Sequence, residues 1–297
     1  MELALNLPVV HPAVTALVLG DLAAHAEDLG FSAVYLGEHV VLFDAPDDEY
    51  PGSDSGEAFF PADSPLPDPL TTHAYLAGRT EKIRLATGVM LLPQRNPVYT
   101  AKHVATLDWV SGGRLDLGIG IGWSTEEFRA CGVPFARRAE RCVEYIGVMR
   151  SLWSDPVSEF SGEFYELPRC RQYPKPVQQP LPLWFGGWVE SALARAAALG
   201  DGWYGFDLVP DEIASIVRRI RELEVEHGRE RDAVRIATGA YSRMPRDAHE
   251  MDAFEAVGVE RFAVSLSATD PPAMHEQLAD MARAFSHTAP RGLPRHR

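Results

Sequence analysis

Two rhythms alternate along the chain. Short runs rich in β-branched and aromatic residues occur at Glu2–Leu7, Ala33–Gly37, Ile83–Leu91, Arg114–Ile121, Leu183–Gly186, Gly202–Gly205, Val234–Ala240 and Arg261–Leu266, eight in all. Between most of them apolar residues repeat at helical spacing, as in Val14, Leu17, Val18, Leu22, Ala26 and Leu29, and in Ile213, Ile216, Val217, Ile220 and Leu223. Asn96-Pro97, Asp68-Pro69 and Asp270-Pro271 each set a capping side chain before a proline suited to a helix's first turn. Ser124-Thr125-Glu126-Glu127 reads as a capping box. Strand and helix in alternation give a parallel sheet with crossover helices. Eight such units predict an α/β fold, a closed (β/α)8 TIM barrel, with a doubly wound open sheet as the other solution.

Two stretches break the rhythm. Val41–Leu66 follows the second strand and is rich in Asp, Pro, Gly and Ser; Val157–Pro182 lies between strands four and five and holds a hairpin signal at Ser161-Gly162. A long loop after a barrel strand's C-terminal end suits a lid or a substrate wall. The expected organisation is one barrel domain over residues 1–288 with a loose tail over 289–297.

Composition narrows the functions. A formal charge of −14 disfavours nucleic acid, because phosphate backbones are repelled. No apolar run is long enough for a membrane span, and the start MELALNLPVV has no basic n-region of a signal peptide. Cys131, Cys142 and Cys170 show no CxxC spacing, which fits a reducing cytoplasm and argues against a zinc site; no metal is expected. GxxxxGK[ST], HExxH and GxSxG are absent.

The candidate chemistry lies at the predicted strand tips. Gly37-Glu38-His39 ends strand two, and His39 could exchange a proton or simply brace a loop. Thr87-Gly88-Val89-Met90 ends strand three, where glycine permits a bulge. Gly186-Gly187 precedes a helix whose N-terminus could receive an anion, or is plain turn chemistry. Gly118, Gly120 and Gly122 in RLDLGIGIGW have the wrong spacing for a dinucleotide fingerprint. They share one face of a strand, and if that face is the lumen they keep the top of the barrel hollow. Trp123, Trp188, Trp203 and Phe206 stand near the tips and could wall a flat ring, though most such aromatics are core.

The run IRLATGVMLLPQRNPVYTAKHVATLDWVSGGRLDLGIGIGWSTEEFRACGVPFARRAER, with AEDLGFSAVYLGEHV before it and YPKPVQQPLPLWFGG and ALGDGWY after it, resembles the luciferase-like monooxygenase family, and more closely its F420-dependent branch. The resemblance covers most of the chain up to about Phe206. It implies a (β/α)8 barrel that binds coenzyme F420, or alternatively FMN. Gly88-Val89 matches the place where the family often has a non-prolyl cis peptide behind the cofactor ring. His39 matches a histidine at the ring's reactive edge, with Glu38 beside it as a second catalytic candidate. Gly186 and Gly187 match a phosphate site, and Gly120, Gly122, Trp123 and Trp203 complete the expected cofactor contacts. Some F420 enzymes carry a Glu at the strand-four tip; here the tip is Gly-Ile-Gly-Trp, so the proton must come from His39, Glu38, Tyr204, Asp207, Tyr241 or water. The implied activity is hydride transfer between the deazaflavin and a small-molecule or modified-peptide substrate, by reduction of an activated C=C or C=N. An FMN-dependent monooxygenase, or a non-catalytic flavin-binding or scaffold barrel, are the alternatives. A homodimer is expected from the family.

Overall fold

The computed structural model describes residues 1–51, 53, 56–58 and 60–285; the predicted tail 289–297 lies outside the described residues. Eight parallel strands close a barrel: β1 (Glu2–Asn6), β2 (Ala33–Leu36), β3 (Arg84–Thr87), β5 (Leu115–Gly120), β8 (Leu183–Gly186), β9 (Gly202–Phe206), β10 (Arg235–Gly239) and β11 (Arg261–Ser265). Neighbours run in the order β3-β2-β1-β11-β10-β9-β8-β5, and the β3–β5 pairing closes the ring. The predicted strand Ile83–Leu91 is interrupted. It stops at Thr87 and resumes as β4 (Met90–Leu91), which pairs with β5 through Met90–Ile119 and Leu91–Gly120. The peptide between Gly88 and Val89 is cis, as the resemblance implied. The 157–182 stretch carries the expected hairpin, β6 (Ser158–Ser161) against β7 (Glu166–Cys170).

The helical layer is α1 (Ala16–Asp28), α2 (Pro69–Ala77), α3 (Pro97–Ser111), α4 (Thr125–Ala130), α5 (Arg138–Ser154), α6 (Glu190–Leu199), α7 (Pro210–Glu226), α8 (Ala248–Ala256) and α9 (Pro271–Phe285). The asparagine and aspartate caps form as the sequence suggests: Asn96 accepts from the Val98 and Tyr99 amides, Asp68 from Thr71, and Asp270 from Ala273. Each barrel strand is buried on both faces, so its alternate residues serve two cores. Leu5, Val34, Leu85, Leu117 and Phe262 point to the helices. Ala4, Ala33, Ala86, Ala237 and Ala263 point inward, where Tyr35, Tyr204 and Trp184 fill the lumen. The alanines are small because two tyrosine rings stack between them, centroids 4.6 Å apart at 14°. At the N-terminal end, Asp116 accepts from both Arg84 (2.6 and 2.9 Å) and Arg261 (2.8 Å), and Arg261 also donates to Glu2 at 2.9 Å. This ionic layer seals the bottom of the barrel. Among the described residues no helix is long and apolar enough to cross a membrane.

One buried group under the barrel wall predicts an acid limit. His73 on α2 is fully buried; its Nε2 donates to the Ala86 carbonyl at 2.9 Å and its Nδ1 has no partner among the described residues. Burial lowers its pKa from 6.5 to about 4. Below 6.5 the unfolded chain takes up a proton that the folded chain refuses, so stability falls as the pH drops from 6.5 to about 4. The loss amounts to about 3 kcal/mol from this group. Thermal unfolding between pH 7 and pH 4.5 should show a falling Tm, and His73→Gln should flatten that slope. An equal slope in the variant would contradict the assignment.

Candidate active site

The C-terminal strand ends meet at one mouth, and the glycines of β5 show how it is built. A Cβ at Gly118 would lie 1.9 Å from the Thr87 carbonyl oxygen, and one at Gly120 would lie 2.5 Å from Val89 Cγ2. The Thr87 hydroxyl is interleaved with β5: it accepts from the Gly118 amide at 2.8 Å and donates to the Gly118 carbonyl at 2.7 Å. The expectation of hollow space above β5 is therefore corrected. The glycines admit the β3 backbone and the Val89 side chain. Gly120 lies behind Val89, while Gly122 has φ +75° and turns the chain toward α4. Gly120 is fully covered, whereas Gly122 is half-buried.

Val89 itself projects over the lumen, with Gly186 on its other flank, where a Cβ would meet Val89 Cγ1 at 3.0 Å. Gly88 rests on the two tyrosines; a Cβ there would stand 3.0 Å from each ring. Gly37, Gly88, Val89, Gly186 and Gly187 are all half-buried, forming an uncharged floor with little side-chain relief. That floor fits the face of a flat ring.

His39 follows the floor residue Gly37 by two positions, its side chain 14% exposed. Its ring contacts Trp123 edge-on (5.9 Å between centroids) and Phe60 (5.7 Å). Its Nδ1 meets Glu127 Oε2 at 3.2 Å, and Glu127 Oε1 accepts from the Val40 amide at 2.5 Å. Glu127 is the residue that sequence reading missed. It lies at the third position of α4, where Ser124 Oγ accepts from its amide at 3.2 Å, but its carboxylate does not turn back to close the capping box. It reaches across to the β2 tip instead. Burial alone would raise its carboxyl pKa, but the His39 and Val40 hydrogen bonds hold it below the ordinary range.

Glu38, expected beside His39 as a catalytic acid, is placed differently. One oxygen accepts from the Leu91 amide at 2.6 Å and the other from Arg95 Nε at 2.9 Å, and the side chain is 3% exposed. With both oxygens engaged it anchors β4 rather than facing the mouth. Trp203 is a second correction. It is fully buried on the helix side of β9, where its indole N–H donates to the Gly187 carbonyl at 2.8 Å. It shapes the Gly187 turn (φ +97°) without touching the mouth. Its neighbour Tyr204 faces inward but lies beneath the floor; its hydroxyl donates to Asn6 at 3.0 Å, and burial drives its pKa well above the ordinary tyrosine value. Asp207 spends its carboxylate on the Tyr241, Ser242 and Arg243 amides at 2.8, 2.9 and 3.0 Å, pinning the loop after β10. Tyr241 is 47% exposed on that loop. Of the proton candidates, His39 keeps a ring nitrogen, Nε2, that makes no hydrogen bond among the described residues.

The loop after β2 folds over His39. Asp48 accepts from the Thr125 amide and hydroxyl, both at 2.6 Å, and the Asp47 amide donates to Glu126 at 2.8 Å. Tyr50 packs on Trp123, centroids 5.5 Å apart, so aromatic rings screen His39 from water.

Cationic groups gather on the β5–β8 side. Arg138 donates to the Gly122 carbonyl at 3.0 Å and lies 3.7 Å above the centre of the Phe135 ring. Burial lowers its pKa, and the nearby guanidiniums of Arg195 and Arg141 lower it further. Among the described residues no carboxylate pairs with Arg138 or Arg195. Arg195 stands on α6, whose first turn follows Gly186-Gly187 and has no side-chain cap. Arg195 lies midway along α6 and Glu190 occupies the helix's first turn, so the groups on this side that suit a phosphate are the uncapped backbone N–H groups after Gly187 and the two cations without a carboxylate partner among the described residues. The sequence signal was the basic run PFARRAER just past the β5 tip.

A family model described as luciferase-like monooxygenase matches residues 7–287. An uncharacterized protein of Mycobacterium tuberculosis is 34% identical over 208 residues, 70% of this chain and 72% of that one. The FMNH2-dependent dimethylsulfone monooxygenase of Pseudomonas putida is 30% identical over 182 residues, 60% of this chain and 49% of its own length. Among solved structures, an F420-dependent secondary alcohol dehydrogenase in complex with an F420–acetone adduct superimposes with a TM-score of 0.76 over 96% of this chain and 98% of its own, at 17% identity, and so shares the fold. Since the family match spans nearly the whole chain and the barrel agrees with it, the protein belongs to the luciferase-like monooxygenase family of oxidoreductases and monooxygenases.

Proposed function

We propose that the protein is an F420-dependent oxidoreductase that reduces an activated C=C or C=N bond of a small organic substrate. The observation that carries this reading is His39, a single proton-exchanging ring two positions after Gly37 of an uncharged Gly–Val floor. When reduced, the deazaflavin supplies a hydride. Val89 and the glycines of the floor would seat its ring, and Arg138, Arg195 and the α6 N-terminus would hold its phosphate. His39 exchanges the proton that accompanies the hydride at the substrate's heteroatom or neighbouring carbon. Tyr50, Phe60 and Trp123 keep water from the reacting atoms. No carboxylate stands at the β5 tip, and Glu38 and Asp207 are committed elsewhere, which leaves the proton to His39.

An FMN-dependent monooxygenase is the second reading, favoured by the name of the Pseudomonas putida relative. Titrating the protein anaerobically with F420 and with FMN, followed by absorbance, separates the two. The proposal expects F420 to bind with a perturbed spectrum. It also expects His39→Ala to lower turnover by about 10²- to 10⁴-fold while binding of the oxidised cofactor changes little. Tight FMN binding with no response to F420 would move the function to the second reading, and full activity in His39→Ala would remove the proton role.

A further inference from the structure

We infer that Glu127 is a positioning residue that fixes which nitrogen of His39 exchanges protons, making Nε2 the working atom in both charge states; this deepens the proton role proposed above and rests on it. An ionised carboxylate only accepts, so His39 Nδ1 must carry a hydrogen to meet Glu127 Oε2 at 3.2 Å. The carboxylate cannot swing away easily, because its other oxygen holds the Val40 amide at 2.5 Å and the side chain is 1% exposed. Nδ1 therefore keeps its hydrogen whether the ring is neutral or cationic. Gain and loss of the proton fall on Nε2, which makes no hydrogen bond among the described residues.

The reductive step balances on these groups. The substrate's C=N carbon receives a hydride with its electron pair from the reduced cofactor, which is oxidised by two electrons. The nitrogen takes a proton from Nε2–H. The imidazolium becomes neutral, and Glu127 keeps its charge throughout. In the reverse direction the same Nε2 receives the proton. Glu127 also staples the β2 tip to α4, a purely structural task. The two tasks are separable, because only the first sets a tautomer.

The test is two-bond 1H–15N NMR of the 15N-histidine-labelled protein at a pH where His39 is neutral, without any cofactor. The result expected for the wild type is a protonated Nδ1 and a bare Nε2 on His39. In Glu127→Gln the preference should be lost or reversed, with near-ultraviolet circular dichroism unchanged. A bare Nδ1 in the wild type overturns the inference, whether or not the variant folds, as does an unaltered tautomer in a folded Glu127→Gln. With cofactor and substrate, Glu127→Gln should lower kcat by about 10- to 100-fold with KM nearly constant. If no cofactor supports turnover, the functional reading fails while the tautomer result stands by itself.

Discussion

Gly118→Ala should be among the most damaging single-methyl substitutions in the barrel. The added carbon would stand 1.9 Å from the Thr87 carbonyl oxygen, a backbone atom with no rotamer to escape into. Relief requires β3 and β5 to separate where the Thr87 hydroxyl stitches them together at 2.7 and 2.8 Å. Overpacking of a rigid core costs up to about 3 kcal/mol and occasionally more. For a chain of this size that lowers Tm by roughly 6–12 °C. Gly78→Ala is the control, since its Cβ would lie 3.5 Å from the nearest atom, an ordinary contact. A Gly118→Ala protein with wild-type Tm would mean that β3 does not press on β5, and the explanation of the glycine run would fall with it.

The ionic layer at the barrel's other end gives the second large effect. Asp116→Asn removes the charge between Arg84 and Arg261, and Arg261 is 2% exposed. Among the described residues, Glu2 then remains as the sole carboxylate on Arg261. Breaking a buried pair from one side costs about 3–5 kcal/mol, because the surviving charge is left without its partner in low dielectric. Burial alone would raise the Asp116 pKa, but Arg84 and Arg261 hold it below its ordinary 3.8. A depressed folded pKa stabilises above the unfolded value and loses that contribution as the pH falls through the folded one. The Tm gap between wild type and Asp116→Asn should therefore be full at pH 7 and narrow below about pH 3.8. Replacing the pair together, as Asp116→Leu with Arg261→Met, should restore part of the loss at pH 7. An equally unstable double variant would show that shape, not charge, dominates there.

Much of this architecture was legible from spacing. Eight β-rich runs and their proline-marked helix starts give the barrel, and the strand tips Gly37–His39, Gly88-Val89 and Gly186-Gly187 converge as their order requires. What spacing could not decide was facing. Barrel strands are buried on both sides, so Trp203 and Tyr204 look alike in sequence although one faces the helices and the other the lumen. The same ambiguity made Glu38 look available, when it is bound to Leu91 and Arg95. Glu127 was hidden for another reason. Its position three residues after Ser124 is what a capping box predicts. Only the fold brings the β2 tip within reach of its carboxylate, so that His39 and Val40 take the place of the Ser124 amide. The three glycines of β5 were ambiguous between a cradle and a close approach. The contacts of Thr87 and Val89 settle that in favour of close approach.

The central claim is that a flat redox ring seats on the Val89 floor beside His39. A crystal structure of the protein with bound F420 or FMN tests it most directly. The account predicts the ring face against Val89, an edge beside His39, and the phosphate among Arg138, Arg195 and the first turn of α6. A ring bound anywhere else, such as the cleft lined by Trp188, Leu208 and Ile216 or the polar hollow around Arg235 and Trp184 at the opposite end, would contradict it.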